Sequence, residues 1–350
     1  MVRYLAAPIA IVAAVQPALA AAPGYALLWP AYAAGKGDSD VAKGVIARAR
    51  AALSRPPGAI PKLHTEGTLP GKGIREISLV AKRDQPIILD LALAWRLTGD
   101  RAFLDQAGRY LDAWASIYEQ SYNPIDETGF DLLIMATDLT AADLPAATRG
   151  KVDAFWRKMA TGYLDAMDDP KLGHANTNWQ SHRVKLATMA AFTTGDVRLI
   201  ARARAAYRKQ VGVNLRADGS TFDFEERDAL HYVTYDLDPL MMAALAAKAH
   251  GEDWYHYVAP SGASLPRSLA WLAEFASGTL THVEFANSKI QFDRDRAAAG
   301  QAEYAPHVWT PDNAIDTYKL ASLLDPAFGT LATKLAADAK RRPDAWMLLF

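Results

Sequence analysis

A chain of 350 residues with a net charge of −1 lacks the basic surplus that a nucleic-acid binder needs. It has no cysteine, which excludes a disulfide framework, a thiolate nucleophile and a cysteine zinc site. Nine tryptophans and fourteen tyrosines exceed what an aliphatic core requires, and aromatic faces left at the surface are platforms for sugar rings.

In chain order, residues 1–20 carry Arg3, an apolar run from Tyr4 to Val15 and the close Ala18-Leu19-Ala20. This predicts a secretory leader, cleaved after Ala20 or Ala22 and too short to span a bilayer. The mature chain, 23–350, is then expected to be a single exported domain, periplasmic or secreted. Asp38 to Leu53 reads as a first helix, ended by Pro56-Pro57. Lys62 to Gly73 is too rich in glycine and proline for a helix and reads as a loop carrying His64, Thr65, Glu66 and Lys72. Pro86 marks a helix start, followed by Ile87, Ile88, Leu91, Trp95 and Leu97 until Gly99. Asp100 then caps a helix with Phe103, Ala107, Leu111, Trp114 and Tyr118 on one stripe. The design recurs with helices over Leu144 to Met167, Trp179 to Thr193 and Val197 to Val213, the last two joined by Gly195-Asp196. Asp238-Pro239 reads as the cap and first residue of a helix running to Gly251, and two closing helices span Asn313 to Leu323 and Ala327 to Lys340. Between them, Thr281 to Trp309 is irregular and charged. Helical hairpins with almost no period-two pattern and no strict repeat predict an all-α, closed (α/α) barrel or toroid.

Two polar clusters stand out from this scaffold. In Asn176-Thr-Asn-Trp-Gln-Ser-His-Arg183, an N-cap at Asn178 puts His182 one turn on, with Trp179 and Arg183 paired on the adjoining face. In Arg227-Asp-Ala-Leu-His-Tyr-Val-Thr-Tyr235, steps of four place Arg227, His231 and Tyr235 on one helical face, with Leu230, Val233 and Leu237 on another. Taken singly these residues read as caps, packing tyrosines and ion-paired arginines, with Glu225 or Glu226 as the partner of Arg227. Taken together they offer an amide, two imidazoles, two guanidiniums and tyrosines, without metal spacing or a serine elbow.

That set suits β-elimination in a polymer of uronic acid. The proton on carbon 5 is weakly acidic, so Asn, His or Arg must hold the carboxylate while charge is delocalised onto it. A base removes the proton and an acid reaches the glycosidic oxygen at carbon 4. A tyrosine does both if nearby cations lower its pKa. In β-linked glucuronate and mannuronate the proton and the leaving oxygen share a ring face, so one tyrosine suffices. Guluronate presents them on opposite faces and needs a second group, His182 or His231.

The order of these motifs resembles the alginate lyase superfamily of helical-toroid polysaccharide lyases, from about Leu63 to Gly251. His64-Thr-Glu-Gly-Thr68 looks like the lid loop, Asn123-Pro-Ile-Asp-Glu127 resembles a motif of that family, Asn178 to Arg183 falls where mannuronate lyases carry asparagine-histidine, and the segment ending Tyr235-Asp-Leu-Asp-Pro239 is similar to their arginine and tyrosine segment. The resemblance implies a single incomplete (α/α) toroid in which Asn178 neutralises the carboxylate and Tyr235 transfers protons. With them it implies His182 and His231 as catalytic, and His64, Glu66, Asn123, Glu127, Trp179, Arg183, Arg227 and Tyr232 as substrate-binding. Trp179 stands where mannuronate lyases have histidine and Arg227 is one residue out of register, which turns the expectation towards glucuronan. The expected partner is an anionic polysaccharide bound by a monomer, with no cofactor and no metal. Two other readings use the same residues: an inverting glycoside hydrolase drawing on Glu66, Asp126, Glu127, Asp223 and Glu225, or a non-catalytic glycan-binding protein.

Overall fold

The computed structural model describes residues 37–71 and 73–349; the expected leader over 1–20 and Lys72 of the 62–73 loop lie outside the described residues. Helix α1 (Asp40–Ala52) is capped by Ser39 and buries Ala42, Val45 and Ala49. The loop then leads into α2 (Ile74–Lys82), which periodicity did not mark because Ile77 and Val80 face solvent. Helix α3 (Asp84–Thr98) starts two residues before Pro86, which occupies the first turn, where its missing N–H has no partner to lose. Gly99 ends α3 at φ 71°, a left-handed conformation that glycine adopts without Cβ strain, and Asp100 caps α4 (Arg101–Ile117).

Helix α5 (Phe130–Thr140) has buried residues on every side and so presents no amphipathic stripe to read. It is followed by the long amphipathic α6 (Ala146–Asp168), then α7 (Asn178–Thr194) and α8 (Val197–Asn214), joined by the second Gly-Asp turn. Asp196 caps α8 as Asp100 caps α4. The cap of α7 is Thr177, whose side chain accepts from the Trp179 N–H, so Asn178 is the first helical residue and its side chain is free for another task.

The short α9 (Phe222–Arg227) is stopped by Asp228 at φ 53°, and α10 (Leu230–Ala249) starts afresh. Arg227 therefore does not share a helix with His231 and Tyr235, contrary to the single face expected from their spacing. Helix α10 also runs through Pro239 instead of starting there. The proline withholds an N–H from the Tyr235 carbonyl, but burial of Leu230, Val233, Leu237 and Leu240 around it keeps the helix whole. Helices α11 (Leu265–Ala276), α12 (Gln291–Ala298), α13 (Ile315–Leu324) and α14 (Gly329–Asp338) complete the chain. Within the stretch expected to be irregular, β1 (Val283–Glu284) and β2 (His307–Val308) form a two-stranded antiparallel ladder.

The inner layer is a sequence of neighbours: α3 packs on α5, α5 on α7, α7 on α10 and α10 on α13. Helices α1, α4, α6, α8 and α14 pack outside them as hairpin partners, and the turn at 345–349 touches both α1 and α13. This is the incomplete (α/α) toroid, and α7 and α10, buried on nearly all sides, are its axis of contact.

Asp238, expected to be a helix cap, is instead an interior residue of α10 facing Thr317 of α13, and burial pushes its carboxyl up to about 7. The native state holds this proton more tightly than the unfolded chain, so the associated stability is present at acid pH and is lost as pH rises from about 4 to about 7. Asp238→Asn is expected to leave Tm unchanged at pH 4 and to raise it by roughly 2–4 °C at pH 8 in a calorimetric scan.

Candidate active site

Residues near the starts of three inner helices, α5, α7 and α10, come together. Thr128, just ahead of α5, contacts His182 of α7 through a 2.7 Å bond between its Oγ1 and Nδ1. His182 in turn lies against Tyr235 of α10, with ring centroids 4.2 Å apart. Helix N-termini carry partial positive charge, so their convergence favours an anionic ligand.

Tyr235 is the centre of this arrangement. His231 also lies parallel to it, with ring centroids 6.3 Å apart and 11° between ring planes, so the phenol has both imidazoles as neighbours. Among the described residues no hydrogen bond reaches the Tyr235 hydroxyl or the His231 ring nitrogens, whereas the His231 N–H donates to Glu284 Oε1 at 2.5 Å. Burial pushes the Tyr235 phenol up, assisted by Tyr232 and Tyr304 and opposed by Arg296. Burial, with Lys185 beside it, holds His182 well below its ordinary value. Burial and the cations Arg227 and Arg296 lower His231. The resting site is therefore a protonated phenol beside two neutral imidazoles, where the sequence suggested a phenol lowered by its cationic neighbours. Desolvation outweighs those cations here.

Asn178 is fixed from behind. Its backbone N–H and Nδ2 donate to the two oxygens of Asp223, at 2.7 and 2.5 Å. Asp223 also accepts from Asn214 and lies against Asp236, which burial and the adjacent carboxylate push far up, so one of the two buried acids carries a proton. Ser181 Oγ donates to Asp236 at 2.6 Å, extending the network along α7. Asn178 and His182 thus share the turn that faces α10, although no direct contact joins Asn178 to Tyr235.

Several other residues expected at the site are anchored elsewhere. Arg183 turns back to the Gly173 carbonyl and Gln180 and lies 5.8 Å from the Trp179 ring, whose stacking partner is His174 at 4.7 Å; neither points with His182. Arg227 pairs with Asp293 rather than with Glu225 or Glu226, and also donates to the Tyr232 hydroxyl at 2.9 Å. Tyr232 is buried and accepts a second bond from Arg296 at 3.2 Å.

The Asn123 to Glu127 motif is a set of anchors. Asn123 Oδ1 accepts from the Ile125 and Asp126 N–H groups, closing the turn. Asp126 accepts from the Thr65 and Glu66 N–H groups at 2.6 and 2.8 Å and from the His64 ring at 3.1 Å, so it ties down the loop that carries them. Glu127 is fully buried and accepts from Tyr118, Ser121 and Tyr163. All three act as structural anchors, and of them Asn123 and Glu127 are the ones the sequence expected as substrate contacts.

Residues that the sequence leaves as charged, irregular chain lie beside these side chains. The 281–309 segment folds over the start of α10 and supplies Glu284 to His231, Asp293 to Arg227, and Arg296 to Tyr232; Arg296 also lies 4.5 Å from the Tyr304 ring. The acidic and basic residues of α12 were the available signal, but solvated surface helices look the same. Among the described residues no group of three His, Asp or Glu side chains is placed to hold a metal ion, and no helix is long and apolar enough to cross a membrane.

A model of the alginate lyase family matches residues 34–282. A polysaccharide lyase of Stenotrophomonas maltophilia (strain K279a) is 35% identical over 109 residues, and the match spans 31% of this chain and 32%, about a third, of that relative. In three dimensions the chain is similar to an alginate lyase from Bacteroides ovatus, with TM-score 0.65 and 15% identity over 90% of this chain and 95% of that one. It is also similar to alginate lyase A1-III from Sphingomonas species A1, with TM-score 0.61 and 18% identity over 89% and 94% of the two chains.

Proposed function

The chain belongs to the alginate lyase family, and from that premise we propose that it is a polysaccharide lyase that cleaves a β-1,4-linked polyuronate, glucuronan or mannuronate-rich alginate, by β-elimination. The observation that carries this reading is the free Tyr235 hydroxyl beside His182 and His231, near the starts of α7 and α10. The uronate carboxylate is held by Asn178, whose Nδ2 has only Asp223 as partner among the described residues, and by His182, whose Nε2 has no side-chain partner and only the Tyr235 backbone beside it. Tyr235, once ionised, takes the proton from carbon 5. The electron pair of that bond forms the carbon 4 to carbon 5 double bond, the bond to the glycosidic oxygen breaks, and the phenol returns the proton to that oxygen. For guluronate the neutral His231, with its ring nitrogens uncommitted, is the base on the opposite face. His64 and Glu66, on the loop that Asp126 ties down, are the proposed substrate contacts, with no cofactor required. The leader of residues 1–20 directs the chain, as a monomer, to the periplasm or beyond.

Carboxylate chemistry of the hydrolase type has less to support it. Asp126, Glu127 and Asp223 are buried in hydrogen bonds and Glu225 is paired with Arg216 at 2.7 Å, which leaves no free pair to flank a water. Purified mature chain is expected to raise the ultraviolet absorbance of glucuronan or polymannuronate solutions as unsaturated uronyl ends form. New reducing ends without absorbance would transfer the reading to a hydrolase, and saturable binding without either product to a glycan-binding protein.

The raised Tyr235 phenol makes ionisation part of the cost of turnover, so kcat/KM is expected to climb with pH into the alkaline range. Arg296 opposes the rise in the Tyr235 pKa, and its removal must push that pKa higher. Arg296→Gln is expected to displace the rising limb of the pH profile to higher pH by about one unit. A limb that stays in place would separate Arg296 from the proton-transfer step.

A further inference from the structure

Behind His182 lies a chain of three side chains that the reaction scheme has not used. Lys185, one turn further along α7 and almost wholly buried, donates from Nζ to Asp131 Oδ2 at 2.6 Å, to the Thr128 carbonyl at 2.9 Å and to Thr128 Oγ1 at 3.0 Å. Thr128 Oγ1 is in turn 2.7 Å from His182 Nδ1. An ammonium group has three donors and no acceptor, so all three hydrogens of Lys185 are spent and the threonine oxygen receives one of them. The threonine hydrogen then has a single partner among the described residues, the unprotonated Nδ1 of His182.

We propose that Asp131, Lys185 and Thr128 are positioning residues that lock His182 in the tautomer with its proton on Nε2, so that it acts as a neutral hydrogen-bond donor and not as the base. This assignment rests on the reading of the site as a uronate-binding lyase centre for its catalytic meaning, but its physical content is independent of any substrate. Nδ1 is occupied by an incoming hydrogen bond and Nε2 already carries a proton, so neither nitrogen accepts one without breaking the chain. Lys185 adds a second safeguard: a fixed positive charge a few ångströms away opposes a second positive charge on the imidazole. The donor Nε2–H lies by the Tyr235 backbone without a hydrogen bond of good geometry, and a carboxylate is the stronger acceptor it lacks. Asp131 closes the chain by neutralising Lys185, so the relay introduces no net charge beneath the ligand.

The tautomer is directly observable. In protein labelled with nitrogen-15 at histidine, long-range proton–nitrogen correlation spectra at neutral pH are expected to show His182 with a pyridine-type Nδ1 and a pyrrole-type Nε2, the signals being assigned by their loss in His182→Gln. Thr128→Val removes the hydroxyl donor and is expected to give a mixture of tautomers and to lower kcat by about 10–100-fold. Thr128→Ser restores the hydroxyl and is expected to recover both the single tautomer and most of the rate. An Nδ1–H tautomer in the unsubstituted protein, or an unchanged Nε2–H spectrum in a folded Thr128→Val variant, overturns the proposal. The expected spectrum in a protein that cleaves no polyuronate would overturn the lyase reading and leave the relay standing.

Discussion

Tyr235→Phe is expected to lower kcat by about a thousandfold or more, the range set by loss of a positioned acid–base group, while Tm moves by less than about 2 °C. The two halves of this expectation have one cause. The Tyr235 hydroxyl is bonded to no other described residue, so its removal leaves no donor or acceptor unpaired. The ring contacts with His182 and His231 are those of a phenyl group as much as of a phenol. Tyr232→Phe gives the opposite profile. Its hydroxyl accepts from both Arg227 and Arg296, and its loss removes one acceptor from each, although Arg227 keeps Asp293, so stability falls by about 1–3 kcal/mol with a smaller effect on rate. The pair is read by initial rates on glucuronan and polymannuronate beside thermal melts. Near-normal turnover by Tyr235→Phe would move the proton-transfer role to His231.

What the sequence disclosed was whatever is local. The turns Gly99-Asp100 and Gly195-Asp196 were legible because left-handed glycine and an aspartate cap are properties of adjacent residues. So was the one-turn spacing of Asn178 and His182 on α7, and of His231 and Tyr235 on α10. Helix α5 was invisible for the reason that makes it central: buried on all sides, it has no polar face to set a period. Arg227 was drawn onto the wrong helix because a left-handed Asp228 is rare and leaves no pattern in the residues around it. The pairings of Arg296 with Tyr232, Thr128 with His182 and Lys185 with Thr128 were missed because the partners lie dozens of residues apart, and nothing in a charge or a hydroxyl announces a distant acceptor. The motif from Asn123 to Glu127 is ambiguous for a different reason. The residue types that bind sugars, amides and carboxylates, are also the types that tie loops together, and only burial separates the two uses.

Glu127 makes that separation measurable. Its carboxylate is fully buried, with Tyr118 Oη and the Ser121 N–H on one oxygen and Tyr163 Oη on the other. Glu127→Ala leaves these donors with no acceptor and opens a cavity beside Tyr118 and Tyr163, so a loss of about 3–5 kcal/mol is expected. For a protein held by a typical 5–15 kcal/mol, much of the chain would then be unfolded or aggregated on expression. Glu127→Gln keeps the shape and one acceptor oxygen, and is expected to cost about 1–2 kcal/mol. This milder variant decides the role. If Glu127 is an anchor, Glu127→Gln shows a lower urea midpoint with kcat and KM per folded molecule within a few-fold of the original. A rise in KM of tenfold or more at unchanged stability would instead place the carboxylate against the sugar. The anchor also sits one residue before Thr128, so the aromatic cage that Glu127 ties together is the base on which the His182 relay is built. Loosening that cage is therefore expected to broaden the His182 ring signals before the protein melts.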